Sequence, residues 1–254
     1  MDALPGWPGV ASFSTSVFSA KEPHNTKLVF GSVRRYALGL LTRRLGVVRF
    51  IQVGANDGVS GDQLHEFVVG GRWSGLLVEP VDAAYQKLVS VYASLPGLTF
   101  CKDPVWSRNE RRPFYVVDGV DVLSSFSLDT IMLHDRKYAD LRSMIREVEV
   151  EAFTLDELAR RFGVTDPDVV AVDAEGCDDV VLSSFDLERA RPAIVMFEHV
   201  ALSAAASAAI KARLEGIGYT LIYDRHDVLG ILEGTFEPTL TAFLQDVVRQ
   251  ARDN

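Results

Sequence analysis

The sequence has little of what marks disulfide-rich, zinc-binding or low-complexity proteins. It contains only two cysteines, Cys101 and Cys177, which lie far apart and have no companion His or Cys at a metal-ligand spacing. We therefore expect two buried thiols rather than a disulfide framework or a zinc site. Glycine and proline contribute only 19 and 10 of the 254 residues, which excludes collagen-like and disordered classes.

Long apolar segments are also missing. No run approaches the roughly 18 apolar residues that a membrane helix needs, and Arg43 and Arg44 interrupt the most apolar N-terminal stretch. Residues 1–20 are rich in Ser, Gly and Pro and open with an acidic residue, unlike a secretory signal. We therefore expect a cytoplasmic protein without a membrane span.

Cationic residues are in the minority, because 26 Lys and Arg stand against 35 Asp and Glu, for a formal net charge of −9. An acidic chain repels phosphate backbones and anionic lipids, so nucleic acid is not expected as a partner and a small-molecule or saccharide ligand is favoured. The basic residues concentrate in one segment: Arg34, Arg35, Arg43, Arg44 and Arg49. Their spacing indicates the charged face of an amphipathic helix, with a phosphate-bearing or other anionic partner as the alternative.

From about residue 47 onward, short apolar runs alternate with amphipathic stretches. This alternation predicts βαβ units, and hence an α/β fold with a mostly parallel sheet. Seven runs have the length and β-branched or aromatic content of strands: 48–53, 75–78, 98–101, 169–172, 194–197, 219–223 and 229–232. Helical patterns lie between them at 62–69, 83–93, 155–162, 179–185 and 203–216.

The best-defined helix boundaries lie at 154 and 163. Thr154 and Glu157 have capping-box spacing, and Gly163 stands where a left-handed residue commonly ends a helix. Two regions depart from the alternating pattern. Residues 1–46 combine a Pro/Ser-rich start with a predicted helix at 32–45, which we expect to be a lid or appendage. Residues 106–150 form a polar insertion that we expect to cover the site of a main domain spanning 47–254.

The first candidate binding motif is Gly54-Ala55-Asn56-Asp57-Gly58, between the first predicted strand and the next helix. Glycines at such a turn let the backbone approach a ligand closely. The spacing is not the Gly-x-Gly-x-x-Gly of dinucleotide binding, and Asp57 would place a carboxylate where a pyrophosphate should rest. The motif favours a cationic cofactor such as S-adenosylmethionine, with an ordinary connecting turn as the alternative.

The second motif is Glu79-Pro80, which closes the next predicted strand twenty-five positions after Gly54. An acidic residue at the end of a second strand can accept both hydroxyls of a ribose. A glutamate there is often merely solvated. Together with the glycine loop at one βαβ spacing, Glu79 predicts a nucleoside-containing ligand.

Further polar residues follow the two most apolar strands. Asp173 and Glu175 come after 169–172, and Glu198 and His199 come after 194–197. Because such strands are buried on both faces, their first polar residues should meet at one edge of the sheet. They could deprotonate a substrate hydroxyl, or Asp173 and Glu198 could hold Mg²⁺. The alternative is that Asp173 and Glu175 cap the following helix and that Glu198 pairs with an arginine such as Arg225.

The other histidines carry less weight. His24 and His226 lie in polar loops, and His65 is most simply a surface or packing residue of a helix. His134 differs, because its insertion mixes hydroxyl, apolar and charged side chains in the manner of a lid that contacts substrate. We therefore keep His134 as a candidate catalytic residue.

The ordered set FIQVGANDG, GLLVEP, FTLDEL, VVAVDAEGCD and IVMFEH resembles the FkbM family of S-adenosylmethionine-dependent methyltransferases over roughly residues 47–225. The resemblance implies the class I methyltransferase fold, a Rossmann-like three-layer sandwich around a mostly parallel seven-stranded sheet. It also implies methyl transfer to a hydroxyl of a sugar, glycoside or other natural-product or polysaccharide intermediate. A homodimer is compatible with it.

The resemblance extends to single residues. Gly54, Asn56, Asp57 and Gly58 match the cofactor loop, Glu79 matches the ribose acceptor, and Asp173, Glu175 and Gly176 match an Asp-x-Glu-Gly signature. We therefore expect Ala55, Pro80, Asp173 and Glu175 also to be cofactor-binding residues. Two positions depart from the family: the charged segment 101–105, where Asp103 is our candidate for the adenine amino group, and Cys177, which is often aromatic.

By this interpretation Asp173 and His199 handle the hydroxyl proton. An NAD(P)-dependent oxidoreductase on the same architecture is the alternative enzyme. A non-catalytic nucleotide- or sugar-binding protein is the alternative outside enzymes.

Overall fold

The computed structural model describes residues 25–138 and 140–253. The Pro/Ser-rich start of the predicted extension, with His24, lies outside these residues. The described residues form nine strands: β1 (Val48–Val53), β2 (Trp73–Val78), β3 (Leu98–Cys101), β4 (Glu110–Val117), β5 (Ile145–Ala152), β6 (Val169–Val172), β7 (Ile194–Glu198), β8 (Tyr219–Tyr223) and β9 (Asp227–Leu232).

Helices connect and cover these strands. They are α1 (Asn25–Leu45), α2 (His65–Val69), α3 (Asp82–Tyr92), α4 (Leu128–Met132), α5 (Leu141–Met144), α6 (Leu155–Arg161), α7 (Asp178–Ser183), α8 (Leu187–Ala190), α9 (Ala204–Gly216) and α10 (Pro238–Asp253). A 3-10 turn at Asp121–Leu123 precedes α4.

A seven-stranded sheet lies at the centre, in the order β3-β2-β1-β6-β7-β9-β8. Neighbouring strands are parallel from β3 to β7, whereas β9 runs antiparallel to both β7 and β8. All seven predicted strands are present in this sheet, so the predicted mostly parallel α/β architecture is confirmed.

The two faces of the sheet carry separate hydrophobic clusters. Along β1, Val48 and Phe50 belong to one cluster, and Ile51 and Val53 belong to the other, because successive side chains of a strand point to opposite faces. Residues of α1, α2, α3 and α10 complete the first cluster, and residues of α6, α7 and α9 complete the second. The protein is therefore a three-layer sandwich with a buried central sheet.

Helix α1 is a layer of this core. It buries six apolar residues against the sheet and α10: Val29, Phe30, Val33, Ala37, Leu38 and Leu41. Its arginines bind nearby groups: Arg34 lies 3.8 Å from Asp227, and Arg44 donates to the carbonyl oxygens of Gly234 and Thr235. The predicted charged face exists, but the described part of the extension packs against the sheet and is not a lid. A domain boundary at residue 46 stays a prediction.

The predicted capping of α6 is confirmed in part. Thr154 Oγ1 accepts a hydrogen bond from the Glu157 backbone at 3.2 Å, and Gly163 adopts the left-handed conformation with φ +68°. The return half of the capping box is missing, since the Thr154 backbone donates to Asn109 Oδ1 at 2.9 Å. Glu157 instead pairs with two arginines on the same helix.

The insertion at 106–150 contains regular structure that the sequence analysis overlooked. Strands β4 and β5 form a two-stranded antiparallel sheet, in which Phe114 is paired with Val148. Charged and apolar residues alternate along β5, so that Glu147 and Glu149 are exposed whereas Val148 packs against a small cluster around Phe114. Such alternation of charged and apolar residues is typical of a strand with one exposed face. The sequence analysis interpreted this segment only as a polar insertion.

Both cysteines are buried free thiols, as predicted: Cys101 is 3% exposed and Cys177 is 5% exposed. Burial raises the pKa of each to about 11. Within residues 25–138 and 140–253, no helix combines the length and the apolar character needed to cross a bilayer.

Two leucines of α1 test whether this helix stabilises the fold. Leu38 is fully buried, whereas Leu28 on the same helix is 71% exposed. We expect Leu38→Ala to lower the free energy of unfolding by about 2 to 5 kcal/mol, because it removes buried methyl groups and leaves a cavity. Leu28→Ala is the matched control and should change that free energy by less than about 0.5 kcal/mol. Urea unfolding measures both, and equal effects would show that α1 is not part of the core.

Candidate active site

A cavity opens at the carboxyl edge of the sheet, where β1, β2 and β6 end. Its walls include residues 54–56 after β1, 79–81 after β2 and 173–175 after β6. Residues 124–126 of the insertion form a further wall. Parallel strands bring their carboxyl ends to one edge, which is why motifs far apart in sequence meet here.

Gly54 shows how closely the first two loops approach each other. It has φ +78°, and a Cβ atom at this position would lie 1.8 Å from the Asp173 carbonyl oxygen. The backbone N–H groups of Gly54 and Ala55 both donate to the Val78 carbonyl oxygen, at 3.0 and 3.1 Å. The loop after β1 is thus held between the ends of β2 and β6, and only glycine fits at position 54.

Glu79 joins the loops that follow β1 and β2. Its Oε2 accepts a hydrogen bond from the Asn56 backbone and its Oε1 accepts one from the Val81 backbone, each at 2.8 Å. The residue is 6% exposed, and burial raises its pKa to about 7. Glu79 is therefore not the solvated glutamate of the alternative interpretation. It lines the cavity together with Pro80.

Asp57 and Gly58 shape the loop and are not among the residues that line the cavity. Asp57 Oδ1 accepts hydrogen bonds from the backbones of Val59 and Ser60 at 2.9 and 2.7 Å. Partial burial raises the pKa of Asp57, but these bonds outweigh it and hold the pKa below its usual value. Gly58 packs against Tyr92, whose hydroxyl donates to the Gly58 carbonyl at 2.7 Å.

Asp173 and Glu175 line the cavity, and their carboxylates accept no hydrogen bond from the described residues. The Asp173 side chain is exposed to the cavity. Desolvation by the surrounding residues, and then the charge of nearby Asp227, raise its pKa to about 6. Burial, together with Asp173 and Glu198, raises the pKa of Glu175 to about 8. Both groups are therefore poised to exchange protons near neutral pH.

Asp178 is a buried carboxylate that the sequence analysis left without a role. It is fully buried and accepts hydrogen bonds from the backbones of Ala174 and Glu198, at 3.2 and 3.0 Å. Burial raises its pKa well above the usual value. Asp178 thus connects the ends of β6 and β7 in the way that Glu79 connects those of β1 and β2. In the sequence, Asp178 stands between Cys177 and Asp179, and nothing in that pattern predicts a buried acceptor.

Glu198 and His199 lie beside the cavity walls and are not among the lining residues. Burial, Asp173 and Asp227 raise the pKa of Glu198 to about 7, and no ion pair with Arg225 forms among the described residues. The His199 Nε2 atom lies 3.3 Å from the Asp224 carbonyl oxygen, and its ring packs edge-on against Tyr223. The predicted cluster therefore brings Glu198 near Asp173, but His199 faces the β8–β9 turn.

Three other residues that the sequence analysis considered do not line the cavity: His134, Asp103 and His65. His134 is in the turn after α4 and is not a lining residue. Asp103 lies 3.7 Å from Arg161 at the surface, and its neighbours Pro104 and Val105 line the cavity instead. His65 packs inside the first loop, with Nδ1 2.7 Å from the Gly58 carbonyl oxygen.

The insertion holds the loop after β6 directly, through residues that the sequence analysis did not single out. Ser125 is 2% exposed, and its Oγ donates to the Glu175 carbonyl oxygen at 2.9 Å. Thr130 packs so tightly on Gly176 that a Cβ there would lie 2.6 Å from Thr130 Oγ1. Glu175 itself is left-handed, with φ +47°. The hydroxyl-rich segment around Ser125 is the sequence feature that could have predicted this contact.

The expected magnesium site gains no support from the structure. Within the described part of the chain, no group of three or more His, Cys, Asp or Glu side chains is arranged to hold a metal ion. Asp173 lies close enough to Glu198 to raise the pKa of Glu198, but no third ligand joins the two among the described residues.

Comparison with solved structures finds methyltransferases at low sequence identity. An FkbM methyltransferase from Methylobacillus flagellatus KT matches with a TM-score of 0.49 and 15% identity, over 82% of this chain and 50% of that one. This chain thus spans half the length of that protein. Human methyltransferase-like protein 13, solved in complex with SAH, matches with a TM-score of 0.42 and 10% identity, over 92% of this chain and 94% of that one.

A search of curated proteins gave no match. The model of the methyltransferase FkbM domain, by contrast, matches residues 52–220 of the 254. This range runs from β1 to β8 and includes every loop that lines the cavity edge of the sheet. The fold is that of class I methyltransferases, and the chain belongs to the methyltransferase FkbM domain family.

Proposed function

We propose that this protein transfers the methyl group of S-adenosylmethionine to a hydroxyl oxygen of a sugar, a glycoside or another natural-product or polysaccharide intermediate. The observation that carries the proposal is the meeting of Gly54, Glu79 and Asp173 in one cavity. These residues supply a close backbone approach, an acceptor for ribose hydroxyls and a free carboxylate. Membership of the methyltransferase family supports the same reaction.

The cavity fits the cofactor in two respects. Each Glu79 oxygen accepts one backbone N–H, which leaves acceptor capacity for the two hydroxyls of a ribose. Among the described residues, those that line the cavity include Glu79, Asp173 and Glu175 but no Lys, Arg or His. Such a wall favours a sulfonium and disfavours a dinucleotide, which would bring two phosphates without a cation to bind them. The acidic wall therefore disfavours the NAD(P)-dependent alternative.

When bound, the cofactor supplies an electrophilic methyl group on a positively charged sulfur. Its charge is neutralised as the methyl group leaves, so acidic residues stabilise the bound donor more than the transition state. The protein therefore contributes mainly alignment and removal of the hydroxyl proton. Asp173 is our general base, because its carboxylate faces the cavity without a protein partner. His199 faces the β8–β9 turn and is less well placed for that role.

Substitution of Gly54 tests the cofactor loop. In Gly54→Ala the new methyl group would collide with the Asp173 carbonyl, so we expect affinity for S-adenosylhomocysteine to fall by at least tenfold. Gly71→Ala is the matched control, since Gly71 is also left-handed at φ +71° but has nothing within 4 Å of its Cβ position. Isothermal titration calorimetry measures both. Equal losses would mean that backbone strain, not the close approach, sets affinity. Binding of NAD(P) and not of S-adenosylhomocysteine to the native protein would overturn the proposed function.

Substitution of Asp173 tests the general base. We expect Asp173→Asn to lower kcat by roughly 10²- to 10⁴-fold, the usual contribution of a positioned base, while affinity for S-adenosylhomocysteine changes by less than about threefold. His199→Ala should lower kcat much less. Because the base must be deprotonated and the pKa of Asp173 is about 6, kcat/KM of the native protein should fall as the pH drops below 6. A pH-independent rate, or a larger loss in His199→Ala, would contradict the assignment.

A further inference from the structure

A tight turn after β6 carries the Glu175 carboxylate on the cavity wall. The Cys177 backbone N–H donates to the Ala174 carbonyl oxygen at 3.2 Å, which closes the turn over Glu175 and Gly176. Both central residues are left-handed, with φ +47° at Glu175 and φ +86° at Gly176. Positive φ at both central positions is the condition for a type I′ turn.

Glutamate is poorly suited to the first central position of such a turn. Type I′ turns prefer Asn-Gly, Asp-Gly or Gly-Gly, because only glycine and short polar side chains adopt the left-handed conformation readily. Gly176 satisfies this preference and Glu175 does not. The chain thus presents a carboxylate to the cavity from a position where its backbone conformation is unfavourable. The surrounding structure must therefore stabilise the turn.

The insertion contacts the turn at both of these left-handed residues. Ser125 is 2% exposed, and its Oγ donates to the Glu175 carbonyl oxygen at 2.9 Å. Thr130 packs against Gly176 so closely that a Cβ there would lie 2.6 Å from Thr130 Oγ1. Loss of the Ser125 hydroxyl would leave the partly buried Glu175 carbonyl oxygen without its donor, which is unfavourable. Ser125 is therefore the residue whose removal should open the turn.

Ser125 is itself anchored in the insertion. Its backbone N–H and carbonyl pair with those of Tyr115 in β4, each at 3.0 Å. Its Oγ also accepts a hydrogen bond from the Ser127 backbone at 3.0 Å, which leaves the hydroxyl hydrogen for Glu175. Ser125 therefore connects the small β4–β5 sheet to the loop after β6.

Other elements hold the same loop just before the turn. Asp178 in α7 accepts a hydrogen bond from the Ala174 backbone at 3.2 Å. Asp173, the proposed general base, directly precedes Ala174, and its backbone donates to the Val53 carbonyl oxygen at 2.9 Å. The chain is thus fixed up to Ala174 without the insertion. Ser125 acts at the next residue, Glu175.

We propose that Ser125 is a positioning residue of this methyltransferase: its hydroxyl holds Glu175 in the left-handed conformation and thereby keeps the Glu175 carboxylate on the cavity wall, beside the proposed general base. The part of Glu175 in catalysis rests on the proposed function, whereas the hold of Ser125 on the turn does not. The insertion then supports the active-site loop as well as forming one wall of the cavity.

Hydrogen exchange at the Cys177 amide tests this hold, because that N–H closes the turn. In the ligand-free full chain we expect Ser125→Ala to speed the exchange by about tenfold or more, measured by NMR. Ser143→Ala is the matched control. Ser143 Oγ also donates to the carbonyl oxygen of a left-handed residue of the insertion, Asp140 at φ +56°, but neither residue lines the cavity. This control should change exchange at Cys177 by less than twofold.

A second substitution tests whether Ser125 acts through the left-handed conformation. Asn-Gly is a preferred pair for a type I′ turn, so Glu175→Asn should stabilise the turn by itself. We expect the double variant Ser125→Ala/Glu175→Asn to return exchange at Cys177 to within threefold of the native rate. Exchange that stays fast in the double variant would contradict the inference. If Ser125→Ala alone does not fold, the double variant should fold, and failure of both would overturn the inference.

Titration of the Glu175 carboxyl, followed by carbon-13 NMR, gives an independent readout of where this group lies. Burial raises its pKa to about 8, so an opened turn that releases the carboxylate to water should lower the pKa by at least one unit in Ser125→Ala. In Ser143→Ala the pKa should stay unchanged. An unchanged Glu175 pKa or unchanged Cys177 exchange in Ser125→Ala would overturn the inference, as would equal effects in Ser143→Ala. Failure of the proposed function is separate, since it would show as no binding of S-adenosylhomocysteine to the native chain.

Discussion

Two buried carboxylates hold the cavity edge of this sheet together by accepting hydrogen bonds from backbone N–H groups. Glu79 connects the loops after β1 and β2, and Asp178 connects the loop after β6 to the end of β7. Neither has a cationic partner within residues 25–138 and 140–253, and burial raises the pKa of both. The backbone hydrogen bonds offset part of the cost of removing these two carboxylates from water. They also fix the ends of four strands relative to one another. The position of Asp173 depends on this arrangement.

Because these carboxylates bind backbone N–H groups rather than cations, the cavity wall is acidic. Carboxylates that accept backbone N–H groups need no Lys or Arg nearby, and none of the wall residues that the structure describes is a Lys or an Arg. In a partly dehydrated cleft this charge acts strongly on a ligand. A positively charged methyl donor gains from it, whereas its neutral thioether product gains less. The acidic wall would therefore favour exchange of product for fresh donor rather than speed the chemical step.

Much of the fold could be predicted from the sequence, for a physical reason. The strands of the central sheet are buried on both faces and thus appear as uninterrupted apolar runs, and parallel topology places their ends at one edge. What the sequence could not reveal depends on tertiary contacts. Ser125 binds a carbonyl fifty positions away, and Asp178 is a structural acceptor only because the β7 backbone lies beside it. His199 follows the right strand, yet its ring turns toward the β8–β9 turn.

The Asp57 carboxylate does not lie where its sequence motif predicts. Its place in the motif predicts a carboxylate under the first loop that repels a pyrophosphate, but Asp57 accepts hydrogen bonds from Val59 and Ser60 within its own loop. The negative charge at the cavity comes instead from Glu79 and Asp173, which end other strands. The proposed selection of a cationic cofactor would then be a property of the convergent strand ends. For this reason the order of several strand-end motifs is better evidence of function than the spacing of glycines in any one loop.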